Sequence, residues 1–116
     1  LLMPYQSKIS INSKNFDDKI SKFISPLKMF EYLATGIPII SSNIKVLREK
    51  LTHNQNCLLV NNFENVNDWI VAIKGLKNNF YLRKKIYSGA IKTASKNTWR
   101  IRAKNIIKCY EKFYSR

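Results

Sequence analysis

A chain of 116 residues, 45% of them hydrophobic, can bury one core but not two of ordinary size, which predicts one globular domain or a piece of one and excludes a disordered tail. Its 21 Lys and Arg against 7 Asp and Glu leave a net charge of +14, a field that attracts polyanions such as nucleic acid, an anionic membrane face or a phosphorylated substrate. Lys, Asn and Ile are also the residues an AT-rich coding sequence favours, so the charge has a compositional reading beside the functional one.

Leu1-Leu2-Met3-Pro4-Tyr5 is an unbroken apolar run and predicts a short buried strand. Beginning in mid-run at a Leu, the chain reads as a fragment of a longer protein. Residues 6–24 are dominated by Ser, Asn, Lys and Asp and predict a long loop, a feature that in compact domains tends to be functional or mobile.

The next segment, Ser25-Pro26-Leu27-Lys28-Met29-Phe30-Glu31-Tyr32-Leu33-Ala34-Thr35-Gly36, carries helix start and stop signals. Ser25 can cap free backbone N–H groups, Pro26 suits the first helical position, and Gly36 can take the left-handed conformation past the end. At about 100° per residue Leu27, Met29, Phe30, Leu33 and Ala34 share the inward arc, and Lys28, Glu31, Tyr32 and Thr35 share the other. Ile37-Pro38-Ile39-Ile40-Ser41 follows as a strand buried on both faces, with Pro38 tolerated near its start. Residues 43–51 predict a short amphipathic helix with Ile44, Val46 or Leu47, and Leu51 inward; Cys57-Leu58-Leu59-Val60 predicts a third strand.

The remainder reads as helix in three segments, marked by Trp69, Ile70, Ile73 and Leu76, by Leu82, Ile86 and Ala90, and by Trp99, Ala103, Ile106, Tyr110 and Phe113. Most of these aromatic residues are expected in the core. The alternation of strands and helices predicts an α/β fold, a parallel sheet of three short strands with right-handed crossovers and flanking helices. Cys57 and Cys109 are far apart, with no C-x-x-C and no cluster about the lone His53, so neither a zinc site nor a disulfide framework is expected and both thiols are read as reduced and packed. No apolar run approaches the roughly 20 residues of a membrane span.

In open α/β sheets ligands bind beyond the carboxyl ends of the strands, where loops lead into helix amino ends. The turn from Ser25 to Lys28 occupies such a position. Its unpaired N–H groups, the positive end of the helix dipole and the Lys28 ammonium together suit a phosphate or diphosphate. Glu31, one turn deeper, can accept hydrogen bonds from paired hydroxyls, as acidic residues commonly do from a ribose. Against this stands the ordinary role of a Lys and Glu three apart on a helix, a solvated surface pair.

The run from Ser25 to Ser42 resembles the signature of family-four, group-one-type bacterial glycosyltransferases, where a helix bearing Glu-Ala/Tyr-Met/Leu-Ala leads through Gly-x-Pro into a strand. The likeness continues through Val46-Leu47-Arg48-Glu49, through Asn56-Cys57-Leu58-Leu59-Val60, and to Thr98-Trp99 before a closing helix over residues 98–116; Leu2-Met3-Pro4-Tyr5 is similar to the strand preceding the donor loop. It therefore spans nearly the whole chain in order.

This resemblance implies that residues 1–116 are a partial domain, half of the Rossmann-like carboxy-terminal domain of a GT-B enzyme. Such an enzyme binds a nucleoside-diphosphate sugar and transfers the sugar with retention of configuration, needing no metal or other cofactor. By position, Glu31 matches the second acid of a Glu-x7-Glu element, which holds the ribose, and Ser25, Pro26 and Leu27 match the loop facing the diphosphate, although Pro26 has no N–H to donate. Lys28 has no strict counterpart there. The first acid of the element falls at Phe23, so the carboxylate that touches the transferred sugar is missing, and Asp17 and Asp18 in the preceding loop are the candidates to replace it. Implied partners are the nucleotide-sugar donor, the acceptor-binding amino-terminal domain of the same enzyme and, peripherally, anionic lipid at the cytoplasmic face of the plasma membrane, where cell-surface polysaccharide or lipid-linked sugars are built. The fragment alone is expected to be inactive. The competing expectation is a basic nucleic-acid-binding module using Arg100, Arg102, Lys104 and Lys108; no recognition motif accompanies those cations.

Overall fold

The computed structural model describes residues 1–5 and 27–114. The expected loop, with Asp17, Asp18 and Phe23, and the expected cap at Ser25 and Pro26 lie outside the described residues. In chain order the elements are β1 (Leu2–Met3), α1 (Leu27–Thr35), β2 (Ile40–Ser42), a 3₁₀ turn (Leu47–Glu49), β3 (Leu58–Val60), α2 (Val66–Asn78), α3 (Phe80–Ser95) and α4 (Trp99–Tyr114). The strands lie in the order β1-β2-β3, all parallel. Leu2 is in register with Ile40 and Met3 with Ser41, while Ile40, Ser41 and Ser42 face Leu58, Leu59 and Val60. The architecture is mixed α/β and compatible with a partial Rossmann-like fold. No described helix is long and apolar enough to cross a membrane.

Because side chains alternate across a strand, the sheet divides its apolar residues between two clusters. Met3, Ile39 and Cys57 pack with Met29 and Leu33 of α1, with Leu47 and Leu51, and with Ala90 of α3. Ile40, Leu58 and Val60 pack on the opposite side with Leu76 of α2 and Ile86 of α3, backed by Trp69. Thus α3 contributes to both layers. Its close approach to the loop before β3 needs Gly89, since a Cβ there would lie 2.1 Å from the Gln55 carbonyl oxygen. The buried Asn56 ties the same joint together, accepting from Thr52 N–H and donating to the Lys50 carbonyl and the Thr93 hydroxyl.

The end of α1 follows the sequence reading. Gly36 has φ +70°, its N–H donates to the Leu33 carbonyl, and a Cβ would meet the Tyr87 ring. Asn65 caps α2, and Asn79 both ends α2 and caps α3, its side chain accepting from Leu82 N–H.

Two expectations about the helical segments are corrected here. The helix predicted over residues 43–51 contracts to one 3₁₀ turn, in which Leu47 and Arg48 N–H groups share the Ile44 carbonyl. Leu47 and Leu51 are buried as expected, and one turn suffices to bury them; Thr52 then bonds the Asn56 side chain and the chain turns back toward β3. The aromatic residues of the last segment are not core. α4 has no buried residue, and Trp99, Tyr110 and Phe113 are 71%, 62% and 69% exposed.

Candidate functional site

α1 ends four residues before β2 begins, so its amino end points to the carboxyl edge of the sheet. A cleft of about 730 Å³ opens between the first turns of α1, the 3₁₀ turn and the joint between α3 and α4, and none of the described strand residues lines it. That volume suits a nucleotide-sized molecule. Met29, Phe30, Val46 and Ile101 give the cleft an apolar floor; Glu31 and Glu49 supply carboxylates, and Lys50, Lys96 and Arg102 supply cations.

Of the site residues expected from the sequence, the structure brings Leu27 and Glu31 onto this cleft. They are neighbours four apart on α1, and both are exposed. Leu27 was expected to point inward, but it is 56% exposed and lines the cleft, while Met29 of the same turn packs into the core. Lys28 is exposed and stands outside the cleft lining. Ser25, Pro26, Asp17 and Asp18 lie outside the described residues.

The start of α4 was read differently from the sequence, with Trp99 expected in the core and Arg102 assigned only to the competing nucleic-acid module. Trp99 and Arg102, on the first turn of α4, line the same cleft as Glu31, and the Arg102 guanidinium carbon lies 5.5 Å from the centroid of the Trp99 ring. The joint that places them is well bonded. Asn97 Nδ2 donates to the Thr93 carbonyl at 2.7 Å, Thr98 Oγ1 accepts from Ile101 N–H at 3.3 Å, and Arg102 N–H donates to the Thr98 carbonyl at 3.0 Å. The signal that could have found this part of the cleft was Thr98 itself, a helix cap directly before an aromatic residue.

The other chemistry-bearing side chains take structural roles. His53 Nδ1 accepts from Leu59 N–H at 2.9 Å, and Trp69 Nε1 donates to the Phe63 carbonyl at 2.9 Å. Cys57 is fully buried, and burial pushes its thiol up to about 12. Cys109, expected to be packed, is exposed on α4 and lines the cleft. Among the described residues no group of His, Cys, Asp and Glu is placed to hold a metal ion. At the carboxyl end of β2, buried Ser42 Oγ and Asn43 Oδ1 have no partner among the described residues. Comparison with known proteins adds no relative: no protein-family model matches the chain, and no curated protein matches it.

Proposed function

We propose that this chain is the tail half of the donor-nucleotide-binding domain of a GT-B-type retaining glycosyltransferase, with Glu31 accepting hydrogen bonds from the ribose hydroxyls of a nucleoside-diphosphate sugar. The observation that carries the reading is the position of Glu31, midway along the helix that lies between parallel strands β1 and β2 in the chain, on the lining of a nucleotide-sized cleft. Lys50, Lys96 and Arg102 around the same cleft, within a molecule of net charge +14, favour a ligand bearing phosphate. On this reading the diphosphate meets the segment from Ser25 to Lys28, Asp17 or Asp18 is available to the sugar, and another domain of the same enzyme brings the acceptor. The chain by itself binds donor and transfers nothing.

The test is a titration of the chain with UDP, GDP and a short DNA duplex at two salt concentrations. Nucleotide affinity weaker than about 1 μM is expected, reduced on the order of tenfold in Glu31→Gln, which removes the charge and keeps the shape. Duplex binding that collapses with salt and ignores Glu31, with no nucleotide response, would instead favour the basic nucleic-acid module.

A further inference from the structure

We propose that Trp99 is the platform for the sugar ring of the ligand, and that Arg102 together with the capped joint at Asn97 and Thr98 holds it in place. The inference rests on the reading of Glu31 as part of a nucleotide-sugar site and adds the residue that meets the sugar.

Three observations carry it. Trp99 is 71% exposed, although Trp is a residue that folding normally covers, and it lines the same 730 Å³ cleft as Glu31. Arg102 sits over one face of the indole, with its guanidinium carbon 5.5 Å from the centroid, so a ring can stack only on the other face. The surrounding polar groups then decide which kind of ring. Glu31 and Glu49 accept hydrogen bonds, and the Asn105 amide can both accept and donate, so the cleft sets acceptors and amides around an aromatic face. A pyranose matches that arrangement on both counts. Its axial C–H bonds form a weakly positive, apolar face that suits the negative face of the indole, and its hydroxyls form a rim that needs acceptors.

The site also meets the requirement for preorganisation. Trp99 opens α4 immediately after Thr98, whose hydroxyl and carbonyl bond Ile101 and Arg102, and Asn97 locks the preceding turn to α3. A platform fixed this way loses little freedom when a ring settles on it.

The experiment uses the two indole N–H signals of the full chain in ¹H–¹⁵N spectra, assigned with Trp69→Phe and Trp99→Phe. Trp69 is an internal control, because its Nε1 already donates to the Phe63 carbonyl. The ligands are UDP, UDP-glucose, UDP-N-acetylglucosamine, GDP and GDP-mannose. At least one sugar nucleotide should move the Trp99 signal well beyond its sugar-free nucleotide while Trp69 stays still. Trp99→Ala should then erase about a two- to tenfold preference for that sugar nucleotide, and Trp99→Phe should keep most of it. Equal Trp99 shifts with and without the sugar would overturn the proposal, since the platform would then be meeting the base. Nucleotide-dependent shifts near Glu31 with Trp99 unmoved would also overturn it while leaving the donor reading intact. No shift at either residue with any of these ligands would overturn both.

Discussion

α1 and α4 are both helices with one apolar face, yet α1 buries Met29 and Leu33 to 2% and 0% exposure while α4 buries nothing. α1 lies on the sheet beside α3, where Met29 and Leu33 pack in one cluster with Met3 and Ile39 of the sheet side and Ala90 of α3. On α4, Trp99, Ile106, Tyr110 and Phe113 repeat along one face with 61% or more of their surfaces in solvent. Amphipathic periodicity therefore records that a helix has a side to cover, and says nothing about whether the described fold covers it. In the packed half, side chains set stability; along the first turns of α4, they are free to meet a ligand.

The largest test of that contrast is a pair of truncations. Leu33→Ala should cost about 2–5 kcal/mol in urea unfolding, because it leaves a cavity in a fully buried site. Ile106→Ala removes a similar side chain from solvent and should stay within about 0.5 kcal/mol. Equal costs for the two would mean that α4 is as deeply packed in solution as α1.

The same contrast holds at the scale of one methyl group. Gly89→Ala puts a Cβ 2.1 Å from the Gln55 carbonyl oxygen, where backbone has to move, and should destabilise by about 1–3 kcal/mol. Gly75→Ala, in the exposed interior of α2 with nothing within 4 Å of the added atom, should stabilise by about 0.4–1 kcal/mol. Opposite signs in thermal or urea unfolding check the pair; a loss at both positions would break it.

The smallest effect at neutral pH concerns the two thiols. At neutral pH an alkylating reagent should modify exposed Cys109 quickly and leave buried Cys57 untouched until the chain unfolds, as mass mapping of the adducts would show. Burial raises the Cys57 pKa from 9.0 to about 12, so above the unfolded value the denatured chain gives up a proton that the native state keeps. Stability should be unaffected by this group below pH 9.0 and fall progressively between there and about 12. Cys57→Ala should flatten that part of the pH profile; an unchanged slope would assign it to other groups.

The elements legible in advance were those whose determinants lie within a few residues. Gly36 could be read as the stop of α1 because a left-handed φ of +70° is a local requirement that Gly meets at no steric cost. The strands could be located, though not their lengths: the ladder begins at Ile40 rather than Ile37, because Pro38 has no N–H to give and Ile37 remains half exposed. The inward placing of Leu47 and Leu51 could be read from their spacing, but not the contraction of their helix to a single turn, which depends on how Asn56 and Thr52 close the next loop.

Sequence alone therefore determined the α/β order of this chain, the parallel pairing implied by that order, and Glu31 as a candidate carboxylate, since each follows from local periodicity, capping and the short reach between neighbouring elements. Tertiary structure decided that Glu31 and Trp99 share one cleft although they are far apart in the chain, that Lys28 stands outside it, and that α4 keeps its aromatic face in water. The physical reason is that a helical period specifies a direction around an axis, whereas a contact also needs a second surface, and only the packing of α1, α3 and the intervening turn places that surface in space.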